Sequence, residues 1–350
     1  MFLPHLLLTT TLAACLFAAP CSAAQEAAQV SSVPSSAVDL AAIQKLIDRG
    51  QAKQALAQLD AAEAQQPAMP GIERLKGMAF YAEGDYTEAD QALAKALQQD
   101  PKDIEAAEYR GLTLFRLGKP AAAIPVLEAI HEWAPGTKVD PSYVLALCYL
   151  DTRRYDDARH AFARQFGFPP DSAAAYLLAG RMLLRHEFLP VAQEYAKKAV
   201  ELNPRLPLSH QLLGEIALAK QDVDEAIAEF EKERDLNPLY GGIYDRLGDA
   251  YTRTGQYQKA LQALQQAVLL EPNSTGPYIL LGKVTLKLQD PVSAAGYLER
   301  AEKMDPGNYM THGLLSQAYR VLGKTADASR EAETAEKLQS AADPRLETPR

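Results

Sequence analysis

This 350-residue chain has few of the residues from which most active sites and disulfide frameworks are built. It has three cysteines, and two of them, Cys15 and Cys21, lie in the first 25 residues. Once that segment is set apart, Cys148 stands alone and no intramolecular disulfide can form. Beside Tyr149, Cys148 is expected to be a buried and inert thiol. There is one tryptophan, and aromatics reach only 7% against 47% hydrophobic residues. Alanine recurs every few positions instead, which suits many thin helix-to-helix contacts better than one large core. Period-two alternation and β-branched runs are scarce, so strands have almost no support. The six histidines (His5, His131, His160, His186, His210 and His312) fall in separate segments with no HExxH and no paired ligand spacing. No glycine-rich phosphate loop and no nucleophile with a partner base stands out, so no catalytic, metal or cofactor-binding residues are expected and the chain does not read as an enzyme. Positive charge is also short: 36 Lys and Arg face 45 Asp and Glu, a net −9, which argues against nucleic acid as a general partner.

The amino terminus has its own logic. Residues 1–24 read as an export leader, with a mostly apolar run from Leu6 to Ala19 followed by Pro20 and the small residues Cys21, Ser22, Ala23 and Ala24. The run is too short for a membrane span, which needs roughly 20 apolar residues. No Lys or Arg precedes it, which is unusual for a leader. Leu12-Ala13-Ala14-Cys15 also has the form of a bacterial lipoprotein box, which would make Cys15 the lipidated first residue and anchor the chain to a membrane. Either route implies export to the periplasm or cell envelope. Residues 25–35, rich in Ala, Ser and Gln, read as a flexible linker, and 343–350 as a disordered tail.

Between them the chain repeats. Residues 241–274 read as two short amphipathic helices, with Gly255 at the break and Pro272 closing the unit. The spacing of Tyr244, Leu247, Gly248, Tyr251, Ala260, Leu264, Ala267 and Pro272 recurs every 34 residues. Gly248 and Ala260 are small so that two helices can approach closely, and Tyr244, Leu247, Tyr251 and Leu264 fill the space around the contact. The register runs from 36 to 342 in nine units, with one extra residue at Lys138. Ile130 and Glu233 depart from it, each standing where a small residue is usual. A helix-pair period of this length resembles the tetratricopeptide repeat family. The resemblance implies an all-α fold, a right-handed α-solenoid of about nine helix-turn-helix units, and protein binding as its work.

In each first helix the second, fifth, ninth and twelfth positions share one stripe by helical spacing. The ninth position reads Gln44, Met78, Leu112, Leu147, Arg181, Glu215, Asp249, Lys283, Gln317. It is apolar in the amino-terminal half and charged beyond Arg181, and Tyr81, Phe115 and Tyr143 add aromatic surface to the apolar half. In the family resembled here, that stripe lines a concave groove for a partner peptide or helix. The expected partner-binding residues are therefore Met78, Tyr81, Leu112, Phe115, Tyr143, Leu147, Arg181, Glu215, Asp249 and Lys283. Asn203, Asn237, Asn273 and Asn308 all fall at unit ends, so the Asn and Lys clamp that some relatives use for a terminal carboxylate is not implied. Oligomeric state is not legible in the sequence.

The leader reading is tested by the mass of the amino-terminal peptide of the chain purified from an exporting host. Ordinary cleavage gives a start near Ala24 or Gln25 and one free thiol. An acylated Cys15 would instead establish the lipoprotein form.

Overall fold

The structure, a computed structural model, describes residues 38–66, 69–133 and 141–342. The leader, Cys15, the linker at 25–35, Lys138 and the tail at 343–350 lie outside the described residues. So do Pro67 and Pro135. The chain divides into residues 1–39 and 40–350, and every described helix lies in the second part.

Eighteen helices and no strand occur among the described residues. They come in pairs. The first three are α1 (Leu40–Asp48) with α2 (Ala52–Gln65), α3 (Ile72–Glu83) with α4 (Tyr86–Gln99), and α5 (Ile104–Arg116) with α6 (Pro120–Trp133). Next come α7 (Ser142–Asp151) with α8 (Tyr155–Phe166), α9 (Ala173–Arg185) with α10 (Leu189–Leu202), and α11 (Ser209–Ala219) with α12 (Val223–Leu236). The last are α13 (Gly241–Arg253) with α14 (Tyr257–Leu270), α15 (Thr275–Lys287) with α16 (Pro291–Met304), and α17 (Tyr309–Val321) with α18 (Thr325–Ala342). The second helices start at 52, 86, 120, 155, 189, 223, 257, 291 and 325, a step of 34 broken once by a step of 35. The extra residue thus falls between the starts of α6 and α8, where the sequence puts the slip.

Local chemistry starts and stops these helices. Asp85, Asp103, Ser172, Asp222 and Asp290 each accept the backbone N–H three residues on, satisfying a donor that the helix itself leaves open. The tight turn inside each pair needs one left-handed residue. Gly50, Gly84, Gly118, Gly255 and Gly323 supply it at φ between 68° and 83°, and Arg153, Glu187, Gln221 and Gln289 hold the same place at φ between 60° and 65°. The last four carry a steric cost of about 1–2 kcal/mol that glycine avoids.

The core is a row of thin contacts. Ala89, Ala158, Ala192, Ala226, Ala260 and Ala294 have no exposed surface, and neither have Leu93, Phe162, Phe230, Leu264 and Leu298. Cys148 is equally buried, and that burial, with Asp151 adding to it, pushes its thiol up to about 12, so it is no nucleophile at neutral pH.

The two departures from the repeat pattern have different accounts. Ile130 is 1% exposed and fills the core between neighbouring units. Glu233 is fully buried, and its carboxylate caps the start of α11. It accepts Leu208 N–H at 2.8 Å and Gln211 N–H at 3.4 Å, and the Asn237 amide also donates to it. Leu208, at φ 70°, turns the chain so that those N–H groups point at it. Replacing Glu233 by Ala restores the usual small residue, yet should destabilise the chain by about 1–3 kcal/mol, because it orphans buried donors. Chemical denaturation of the variant checks this.

Candidate functional site

The first helices form the inner layer of the stack. Packing joins α1 to α3, α3 to α5, α5 to α7, α9 to α11, α13 to α15 and α15 to α17. Each second helix packs on the first helix of its own unit and of the next, and neighbouring second helices make no comparable contact with one another among the described residues. One layer is therefore crowded and the other splayed, so the array curves with its first helices on the concave side.

The expected groove residues fall on this layer with unequal access. Met78 is 2% exposed and packs between helices, so it offers a partner no surface. Tyr81 is half-buried, with its ring edge-on to Tyr86 at 5.5 Å and to Tyr109 at 5.6 Å. Leu112, Phe115 and Leu147 are half-buried, the last two packed against the largest core cluster. Tyr143 is 39% exposed and lies edge-on to Phe162. Arg181 is half-buried and Lys283 exposed. The stripe is also imperfect: at its twelfth position Leu150 is fully buried, and Thr252, 7% exposed, turns back to bond the Gly248 carbonyl.

In the charged half, much of the charge is already paired. Asp249 meets Arg253 at 2.7 Å, and Glu215 accepts from Gln211 Nε2 at 2.8 Å and meets Arg246 at 3.5 Å. Arg246 is exposed and Asp245 half-buried beside them, whereas Gln211, 5% exposed, offers little surface of its own. Burial holds the Asp245 carboxyl above the usual carboxylate range, with Arg246 opposing and Asp249 and Glu271 adding to the rise.

Three cavities lie off the ten expected residues. The largest, about 640 Å³, is bordered by Tyr155, Asp156, Tyr176, Glu194, Tyr195 and Lys198, on the side of α8 and α10. One of about 310 Å³ sits by Glu231, Tyr244, Tyr251 and Lys259, and one of about 370 Å³ by Gly71, Arg74, Asp100 and Asp103.

Among the described residues, Glu302, His312 and Glu331 bring ligand-type atoms within 4.8 Å of one another. Both ring nitrogens of His312 are engaged, Nδ1 with Glu331 at 2.7 Å and Nε2 with the Pro306 carbonyl at 2.9 Å. Two acceptors suit an imidazolium that donates from both nitrogens, which leaves no lone pair for a metal. The same pair of positions in an earlier unit holds His210 against Glu229 at 2.6 Å.

Models for the tetratricopeptide repeat match residues 40–104, 143–207 and 177–241, and a second such model matches 242–274, together more than half of the chain. A model described as anaphase-promoting complex, cyclosome, subunit 3 matches 82–165. No curated protein matches the chain. Among solved structures, MamA residues 41 to the end from Desulfovibrio magneticus RS-1 is 21% identical with a TM-score of 0.46, covering 49% of this chain and 98% of that one. YrrB, described as a TPR protein with an unusual peptide-binding site, is 22% identical with a TM-score of 0.47, covering 54% and 96%. The Cut9–Hcn1 hetero-tetramer of the APC/C is 20% identical with a TM-score of 0.43, covering 80% and 55%.

The last unit should respond to pH through His312. Burial alone lowers its pKa, but the bonds to Glu331 and to the Pro306 carbonyl outweigh it and hold the pKa above the ordinary value. The stabilisation is therefore full below the unfolded pKa of about 6.5 and is lost as pH rises through the raised folded value. Hydrogen exchange in α17 and α18 should quicken beyond its intrinsic pH dependence over that window, and His312→Gln should remove the excess.

Proposed function

Because the chain belongs to the tetratricopeptide repeat family, a protein-interaction fold, we propose that it is a non-enzymatic scaffold or adaptor that holds a peptide or helical segment of a partner protein along its concave face. One observation carries this reading. Tyr81, Leu112, Phe115, Tyr143 and Leu147 follow one another on the inner first helices with apolar surface still open, ahead of the charged positions Arg181, Glu215, Asp249 and Lys283. An apolar run followed by a charged one suits a segment anchored at one end by side-chain burial and oriented at the other by charge.

The leader reading assigns this work to the cell envelope, after export. A second form of the proposal follows from Leu12-Ala13-Ala14-Cys15: an envelope assembly lipoprotein, anchored through Cys15, whose array recruits other proteins to the membrane. Crosslinking in the native envelope with peptide identification would name the partner in either case.

With a partner in hand, the two halves of the groove should separate kinetically. Phe115→Ala or Tyr81→Ala should weaken binding by about 1–3 kcal/mol, mostly through faster dissociation. Charge reversal at Arg181 or Lys283 should instead change the association rate and its dependence on salt. Surface-plasmon measurements at two ionic strengths on folded variants decide it. If all four bind like the parent, the concave face is not where the partner lies.

A further inference from the structure

Where the second helices splay apart, the outer layer opens into a recess with an aromatic lining. It lies between α8 and α10, encloses about 640 Å³ and is floored by Tyr176 of α9. Tyr155 and Asp156 border it on the α8 side, and on the α10 side its wall runs from Val191 to Glu201, about 15 Å along the helix. Three phenol rings meet there, since Tyr195, 5% exposed, lies edge-on to Tyr176 with the ring centroids 5.2 Å apart. The recess depends on particular side chains and not on the repeat as such. Tyr176 and Tyr195 hold the fourth and twenty-third positions of their unit. In the sixth and ninth units the same two positions are tied together, His210 to Glu229 at 2.6 Å and His312 to Glu331 at 2.7 Å. In the seventh unit they are Tyr244 and Ala263, and both border the smaller recess of about 310 Å³.

The charges on the lining cancel. Asp156 Oδ1 accepts from the Tyr195 hydroxyl at 2.8 Å and from the Arg159 guanidinium at 3.3 Å, and Lys198 meets Glu201 at 3.0 Å. Glu194 and Lys197, of opposite sign, have no ion-pair partner among the described residues. Arg159 also lies over the Tyr176 ring at 4.3 Å, so the cation that a tyrosine face attracts is already in place. A cationic ligand would meet that guanidinium and two lysines, and an anionic one three carboxylates. Ring surface and the Glu194 carboxylate are what the recess still offers. A neutral aromatic side chain with one donor, the indole of Trp or the phenol of Tyr, matches both: it packs on the rings without adding charge, and its N–H or O–H finds a charged acceptor. A wall of about 15 Å spans four or five residues of extended chain, so it suits a peptide segment carrying that side chain better than an isolated ring.

We propose that the recess between α8 and α10 is a second polypeptide-binding site, on the outer layer of the array, that takes a tryptophan or tyrosine side chain of a partner protein, with Glu194 accepting its N–H or O–H. It stands independently of the concave-groove reading, which concerns the first helices.

The test is a phage-displayed library of random 12-residue peptides, panned against the full chain and followed by affinity measurements on the selected peptides made synthetically. One class of them should carry a Trp or Tyr whose replacement by Ala weakens binding to the parent by about tenfold or more. The same peptides should bind about tenfold more weakly to Val191→Trp, which fills the recess from its half-buried wall. Replacing that Tyr by Phe, or that Trp by 1-methyltryptophan, removes only the donor, and should weaken binding about threefold or more on the parent but not on Glu194→Ala. Glu194 is exposed, so Glu194→Ala should keep the unfolding temperature of the parent, and it carries the test if Val191→Trp does not fold. Peptides that respond to Phe115→Ala but to neither recess variant would overturn the recess and leave the groove reading standing. Peptides that respond to the recess variants but depend on a basic or acidic residue would overturn the aromatic assignment. If no selected peptide responds to any of these variants, both readings fall.

Discussion

The whole array depends on how closely two helices of one unit can approach. A Cβ placed on Gly77 would lie 2.3 Å from Leu93, on Gly111 2.2 Å from Leu127, and on Gly248 2.4 Å from Leu264. Gly214 under Phe230 and Gly282 under Leu298 repeat the arrangement at 2.3 Å each. Real side chains do not approach that closely, so the missing methyl is what sets the interhelical distance in five of the nine units. A fixed distance gives a fixed pair, and a fixed pair presents the same two faces to its neighbours, which is the condition for stacking. Where the glycine or its large partner changes, another residue takes over the space. Ala146 lies in the unit of Phe162, and Gly180 has Leu212 of the next unit 3.0 Å from its Cβ position.

Stacking has its own recurring contact. Tyr251 donates its hydroxyl to Glu231 of the preceding unit at 2.6 Å, and Tyr319 to Glu299 at 3.0 Å. Tyr149 does the same to Glu128. Cations lie over all three rings, Arg154 on Tyr149, Lys259 on Tyr251 and Lys324 on Tyr319. Burial and the carboxylate partner both push these phenols up, so they stay protonated donors at any ordinary pH. In a stack where each unit touches only its neighbours, a hydrogen bond that crosses the boundary bears directly on cooperativity.

The repeat was legible because its signals are local and periodic: a small residue under a large one, a left-handed turn, a closing proline. The tyrosines were legible as bulk but not as donors, since their acceptors lie about 20 residues back, in another unit. Glu233 read as a defect in the pattern, because a helix N-terminus needing an anion is visible only once Leu208 turns the chain toward it. His312 read as an isolated histidine, because Glu331 lies on the other helix of the unit. At the groove, helical spacing picked out one stripe of the first helices but could not show that Met78, at the ninth position, is buried. A stripe position predicts direction from the helix axis. How deep the neighbouring helix sinks into it depends on side chains from other units.

The charged half of the concave face gains its meaning from that same limitation. Sequence presents Arg181, Glu215, Asp249 and Lys283 as a ladder of free charge, but Glu215 and Asp249 are already matched by Arg246 and Arg253. A charge satisfied within the protein contributes little selectivity, since a partner must break one pair to form another. Pairing stops instead at Asp245 Oδ1 and at Gln211 Oε1, both buried and met by no donor. A globular core has little tolerance for such a place, because the strain spreads through every contact. In a stacked array the cost stays within two units, where the glycine contacts Gly214 on Phe230 and Gly248 on Leu264 hold the helix pairs together. The fold can therefore keep an incomplete polar surface on its inner layer without loosening the packing that forms it.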